Sequence, residues 1–465
     1  MNIKNPIINT IMVVYGYNNN YFPWHTCIDN TVYKTCGLVI DYYQEKYIIT
    51  TRQYLISCEN LVGYSYDQES CQVTRHILTK ISHSIESNIM ILKILDYQDN
   101  DNLVGHDLNY YTLPKKNKLY QIIMPQFNSD TDKREFEMHI YDTKFLKSCI
   151  FDKNFVPRNY LYKFRLSKND STNLSGSIVF KSKKIIGLTV AIMSKYLFVV
   201  PVKIIKKIIR DYVYSQQHQL QLCGLVCLPF DYEITKNNVL ISKQIKVSTS
   251  CGNKIIKSQD IIKTINYRKI QIIDDEAVIY DNELEDYIPI DIYCRWNHNV
   301  NNDFIVELSR NNKIIVVNIN KCKTTRDLAL TSQWDINFDT IIPYYEFNGL
   351  ILTWLTHELI DMLVINNIEP ENHIIQKLLQ GECIELNKIL IIIDCIDDQL
   401  VNKYQLPTLK INSKNNYTLS CPVVLEINNN NIQYLQNLND LDHCKITESK
   451  IKIAFSANSH KYIFV

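Results

Sequence analysis

Glycine is scarce in this chain, with 10 among 465 residues. Turns that need a positive φ must therefore often be filled by asparagine, the next most tolerant residue. An excess of one charge is lacking too. Fifty Lys and Arg face 49 Asp and Glu, a net of +1, so the overall charge makes no strong electrostatic case for nucleic acid or an anionic membrane as partner. The short basic stretches, KSKK at 181–184 and KIIKKIIR at 203–210, are bounded by or mixed with apolar residues and read as solvated faces. No apolar run approaches the ~20 residues of a membrane span. The opening MNIKNPIINTIMVVYGY has no charged n-region, long apolar h-region or small-residue cleavage site. These absences predict a soluble, unsecreted protein. The 14 cysteines include no C-x-x-C pair, and Cys223 and Cys227 have no His or Cys pair to complete a zinc site. They read as free thiols of a reducing compartment, with no metal or cofactor expected.

What is present is ordinary in balance and odd in detail. The chain is 46% hydrophobic and 21% charged, a globular mix, and its length suits two to four domains. Its 31 tyrosines, with abundant Asn, Ile and Lys, are residues of A/T-rich codons. An AT-rich genome, such as a parasite's or a large DNA virus's, accounts for them. Host cytoplasm or virion is the compartment that a viral source would imply.

Residues 1 to about 200 read as all-β. Short apolar runs (IINTIMVVYGY, TCGLVIDYY, KYIITTRQYLI, NIMILKILDY, SGSIVF, KIIGLTVAI, YLFVVPV) alternate with polar turns, the pattern of a barrel or sandwich. VKIIKKIIRDYVYSQQ has apolar residues at helical spacing and predicts a helix closing the domain. Beyond about 218, strands such as NNVLISKQI and DFIVELSRNNKIIVVNI mix with short helical pieces, SQDIIKTINYRKI reading as a short helix or turn before a strand. From about 330 a third segment has the strand KILIIIDCI and ends on KIKIAFS and KYIFV.

One stretch carries chemistry. In STNLSGSIVFKSKKIIGLTVA, Ser175 and Gly176 precede an apolar strand, a charged turn and a second strand opening on Gly187. A serine nucleophile needs a neutral imidazole to take its proton, a carboxylate to hold that imidazole, and backbone N–H groups for the oxyanion. This loop, with CGLVIDYYQEKYIITTRQYL, SNIMILKI, YLFVVPVKIIKKII and SQDIIKTINYRKI in that order, resembles the HtrA/Deg family of trypsin-like serine proteases with PDZ domains, in its plant-type form. PYYEFNGLILTWLT and NNIQYLQNLNDLDHC resemble the second, degenerate PDZ domain of such members. The resemblance implies a mainly β protein: a trypsin-like double β-barrel over 1–215, a first PDZ domain over 216–328, and a degenerate PDZ-like domain over 329–465. It also implies a homotrimer or a larger oligomer. Peptide or protein C-termini are expected at the first PDZ domain, by strand addition along Val239 to Ile245 beside a short helix at Ser258 to Lys263. The aromatics Tyr15, Tyr17, Tyr21, Phe22 and Trp24 suit an interface or a core equally.

Residue by residue, the resemblance places Ser175 at the nucleophile, Gln53 at the histidine, Asn88 at the aspartate and Asn173 at an oxyanion-hole glycine. Ser177 stands where another glycine belongs, so Ser175 and Gly176 alone keep the pattern. A glutamine amide has no basic lone pair near neutral pH, and triad loss costs roughly four to six orders of magnitude in rate. Asn88 opposite Gln53 is a neutral pair, whereas an aspartate there would be an unpaired charge. The expectation is a protease homologue that binds, assembles or chaperones rather than cuts. The alternative is an active serine endopeptidase using Ser175 with another base, for which His25, His76, His83 and Glu86 are the nearest candidates in sequence; Arg52 is permanently charged and unsuited.

Overall fold

The structure is a computed structural model. It describes residues 8–18, 31–52, 60–84, 87–95, 103–128, 135–153, 156–167, 175–217, 230–235, 238–244, 256–296, 303–320, 344–355, 389–404, 422–432, 449–456 and 459–464, with a few shorter pieces between them. The chain divides into two compact units, one running to Cys322 and one formed mainly by Lys323–Val465.

The first unit opens with two closed barrels. Strands β1 (Ile11–Asn18), β2 (Thr31–Tyr42), β3 (Glu45–Thr51), β4 (Asn60–Asp67), β5 (Gln72–Ser84) and β6 (Ile89–Ile94) form the first. Strands β7 (Leu119–Asn128), β8 (Glu135–Lys153), β9 (Val156–Leu166), β10 (Ile178–Lys181), β11 (Lys184–Met193) and β12 (Tyr196–Pro201) form the second. Counted from its own first strand, each barrel closes in the order 1-2-3-6-5-4, so the two halves share one topology. The β-branched residues dictate this: Ile48 and Ile49 in β3, and Ile89 and Ile91 in β6, are fully buried across the β3–β6 ladder. Helix α1 (Val202–Gln217) follows β12 directly, with Ile204, Ile205 and Ile209 buried at helical spacing.

Asparagine does replace glycine in the turns. Eight of the eighteen non-glycine residues found at positive φ are Asn, among them Asn311, Asn312, Asn428 and Asn429 in hairpin turns.

After the barrels come two short strands, β13 (Val226–Cys227) and, far along the chain, β22 (Cys322–Lys323), which pair. Between them lies an eight-stranded sheet: β14 (Phe230–Ile234), β15 (Val239–Gln244), β16 (Ile261–Ile265), β17 (Arg268–Ile273), β18 (Glu276–Asp281), β19 (Asp286–Pro289), β20 (Asp303–Arg310) and β21 (Lys313–Asn320). Helix α2 (Ile290–Trp296) leaves β19. The turn between β18 and β19 is fixed to the second barrel. Asp286 accepts from the Tyr160 hydroxyl at 2.7 Å and from Ser148, and Lys207 of α1 lies 3.7 Å from Glu283.

Of the two elements expected of a peptide groove, the strand is present as β15 and the helix is not. Residues 258–263 form no helix. The chain turns at Ser258 and Gln259 and enters β16. The ladder between β16 and β20 shifts register between Ile262 and Thr264. Buried Ile262 and Ile265 thus stand three apart, a helical spacing produced by a bulge. The strand β15 is paired by β14 along its length and by β16 at Val239 and Leu240.

The second unit holds a seven-stranded sheet built from Tyr344–Phe347, Leu350–Trp354, Leu390–Cys395, Val423–Ile427, Asn430–Asn431, Lys450–Ser456 and Ser459–Phe464. Phe347, Leu350, Leu390, Ile392, Ile451 and Ile463 fill its core. Most of NNIQYLQNLNDLDHC lies outside the described residues.

Candidate functional site

Ser175 stands just ahead of β10, at the junction of the two barrels. Its carbonyl accepts from the Thr35 hydroxyl at 3.0 Å and from the Cys36 amide at 3.4 Å, both on β2 of the other barrel. Its own hydroxyl donates to Thr51 Oγ1, at the end of β3, at 3.2 Å. Thr51 and Thr35 hydroxyls are 3.0 Å apart. The Thr35 proton goes to the Ser175 carbonyl, so Thr51 donates to Thr35. The three hydroxyls form a closed circuit that starts and ends on Ser175, with each donating once.

All three residues are buried: Ser175 is 6% exposed, Thr35 2% and Thr51 0%. The circuit satisfies groups whose desolvation would otherwise cost about 1–3 kcal/mol each. A second buried pair lies beside it, Ser177 Oγ donating to Thr189 Oγ1 at 3.0 Å. The amides of Gly176 and Thr189 donate to the carbonyls of Thr189 and Ser177 at 2.8 and 2.9 Å. Gly176 itself is obligatory. Its φ is +79°, and a Cβ there would sit 2.3 Å from the Cys36 carbonyl oxygen.

Asn88 occupies the turn between β5 and β6 in a left-handed conformation, φ +53°. Its Nδ2 donates to the Val190 carbonyl of β11 at 3.1 Å, and its carbonyl accepts from the Arg52 amide at 3.0 Å. Val190 is a bulge residue between β11 and β12, which turns its carbonyl out of the ladder. The structure thus brings Ser175, Gly176, Ser177 and Asn88 to one junction. Gln53, Asn173, Glu86 and His25 lie outside the described residues, as does the His83 side chain.

The described histidine rings have contacts elsewhere. His76, buried in β5, is hydrogen-bonded through Nε2 to Ser65 of β4 at 2.8 Å. His106 approaches the Tyr110 carbonyl through Nε2 at 3.3 Å, and burial lowers its pKa. His139 stacks on Tyr141. The Cys36 side chain lies in the core, and burial pushes its thiol pKa up to about 12 despite nearby Lys34. After Leu188 the strands β11 and β12 join through Ser194 and Lys195 alone. Tyr15 is buried and packs edge-on against Tyr64 in a small cluster with Val13. Thr35, Thr51 and Thr189 escaped the sequence reading. The signal for Thr51 was its place in TTRQ, two residues before Gln53.

Two barrels of one topology meeting at a serine loop define the double-barrel class of trypsin-like proteins. No family model matches the chain. It is 32% identical over 468 residues to the uncharacterized protein R367 of Acanthamoeba polyphaga mimivirus, covering 95% of each, and it belongs to the same family as that protein. Among solved structures it is similar to the HtrA-type protease AlgW with decapeptide, at 10% identity and TM-score 0.44, over 68% of this chain and 95% of that one. It is also similar to a serine endoprotease from Yersinia pestis, at 11% identity and TM-score 0.40, over 68% and 95%. The fold assignment rests on the barrels themselves.

Proposed function

We propose that this chain is a catalytically inactive HtrA/Deg-like protease homologue that acts by binding or assembly. The observation that carries the reading is the hydroxyl circuit. The Ser175 proton is directed to Thr51, a neutral hydroxyl that cannot hold it, and glutamine stands at the sequence position of the base. Asn88 supports it as well, donating to a backbone carbonyl where a triad needs a carboxylate oriented on an imidazole. The junction then serves to fasten two barrels.

In this reading the sheet of β14–β21 is the first PDZ module, over 216–328, and 329–465 is a second, degenerate one. A strand-adding peptide would use an outer edge of the sheet, at β14, β19 or β21, or β15 beyond its two-residue ladder with β16. Self-association into a trimer is the proposed assembly. Light scattering of the intact chain would then give three times its 54.7 kDa mass, and loss of the oligomer on removing 330–465 would mark the last module as its support. The A/T-rich composition and the mimivirus relative fit a large DNA virus as source.

A fluorophosphonate probe tests the central point. No labelling that depends on Ser175 is expected. Labelling that vanishes in Ser175→Ala would instead establish the alternative, an active serine endopeptidase with a non-standard base.

A further inference from the structure

We propose that one end of the second barrel is a binding surface for single-stranded nucleic acid. Four stretches distant in sequence meet there. The segment 110–120, YYTLPKKNKLY, holds Lys115, Lys116 and Lys118. The turn from β10 to β11 holds Lys181, Lys183 and Lys184. The start of α1 holds Lys203 and Lys206, and Lys144 of β8 is paired with Leu119. Backbone bonds fix this meeting. The Ile185 amide donates to the Tyr110 carbonyl at 3.2 Å, the Thr112 amide donates to the Ile185 carbonyl at 3.1 Å, and Phe180 pairs with Gln121.

Side chains tighten it. Lys203 and Lys206 ammonium groups lie 5.3 and 5.6 Å from the ring centre of Tyr111, and Lys181 lies 5.5 Å from that of Tyr120. Lys206 also donates to Asn109 at 2.7 Å. Against these nine lysines the described acids nearby include Asp107, Asp142 and, at the neighbouring Lys207 of α1, Glu283 at 3.7 Å.

This gathering works against the fold. Lys203 and Lys206 sit at the start of a 16-residue helix with no acid in its first turn, where the dipole disfavours cations. A polyanion would relieve both that and the mutual repulsion. Within the patch Tyr110 is 59% exposed and Leu119 62%. An exposed tyrosine among lysines on a barrel end suits stacked bases on a phosphate chain. A membrane surface calls for a broader apolar face, such as an amphipathic helix presents. The net charge of +1 conceals the patch because its lysines come from four separate stretches.

The test is fluorescence anisotropy of the full chain with a fluorescein-labelled oligothymidylate of about 20 nucleotides, titrated across increasing salt. Affinity should fall linearly in log–log form, with a slope of about 0.7 per phosphate neutralised. Lys203→Glu with Lys206→Glu, or Lys181→Glu with Lys183→Glu and Lys184→Glu, should weaken binding about tenfold or more and flatten the slope. Tyr110→Ala should weaken it roughly fivefold or more with the slope unchanged. Lys313→Glu, exposed on β21, should leave it intact. Glutamine versions of the same lysines, checked by thermal unfolding, separate loss of charge from loss of fold. Absence of salt-sensitive binding, equal binding by the charge-reversed chains, or binding only to 4:1 phosphatidylcholine–phosphatidylserine vesicles would overturn the proposal.

Discussion

Asn88 reaches from one barrel to the other, its Nδ2 donating to the carbonyl of Val190 at 3.1 Å. The bond needs an N–H, and the turn that presents it needs a residue tolerant of φ +53°. Asparagine meets both demands; aspartate meets only the second. At this bond the junction is therefore matched to an amide rather than a carboxylate.

Asn88→Asp should accordingly destabilise more than Asn88→Ala. The alanine loses a hydrogen bond worth about 1 kcal/mol and adds left-handed strain of similar size. The aspartate sets a carboxylate oxygen against a carbonyl oxygen. Urea midpoints at neutral pH read the order.

At the serine loop, backbone geometry should outweigh the hydroxyl. Gly176→Ala meets the Cys36 carbonyl at 2.3 Å in a left-handed turn, so a loss of about 2–4 kcal/mol is expected. Thr51→Val leaves the Ser175 hydroxyl without its acceptor and should cost about 1–3 kcal/mol. Ser175→Ala should cost about 1 kcal/mol or less. Thermal unfolding of the three variants checks the ranking; a Ser175→Ala loss exceeding that of Gly176→Ala would contradict it.

The sheet of β14–β21 should weaken in acid through one ion pair. Asp260 is 1% exposed and takes two 2.7 Å bonds from Arg310. Burial alone would raise its pKa, but the Arg310 bonds and the Lys257 amide outweigh it and hold the carboxyl below its ordinary 3.8. As pH falls, the unfolded chain takes up this proton first. The stabilisation is complete above about pH 4 and is lost from there down through the folded value. Asp260→Asn should remove that acid limb and lower the melting temperature at pH 7 by about 5 °C. Melting curves from pH 7 to pH 2.5 decide.

The turn that docks on the second barrel should loosen when its acceptor goes. Burial, foremost, raises the pKa of the Tyr160 phenol, so it stays a donor to Asp286 at any physiological pH. Asp286→Ala removes the acceptor that the Tyr160 and Ser148 hydroxyls share and should speed amide exchange across 276–296 by about tenfold. Tyr160→Phe removes donor and demand together and should do so far less. Equal exchange in both variants would show that the contact does not hold the turn.

Much of the fold was legible in the chain. Short apolar runs between polar turns marked the barrel strands, and helical spacing marked Val202–Gln217. The region 258–263 misled because a bulge set Ile262 and Ile265 three apart, as a helix would. The candidate site was legible as residue types at Ser175, Gly176 and Asn88, but their partners were not.

The sequence by itself determined that the chain builds β structure with asparagine in its turns, since those are local preferences of side chain and backbone. Only the tertiary structure decided what the serine touches. Ser175 meets Thr51 across 124 residues of chain, and Asn88 meets Val190 across 102, because two barrels close separately and then abut. No local pattern encodes a contact made by closing two barrels, and the same holds for lysines from four stretches that share one barrel end.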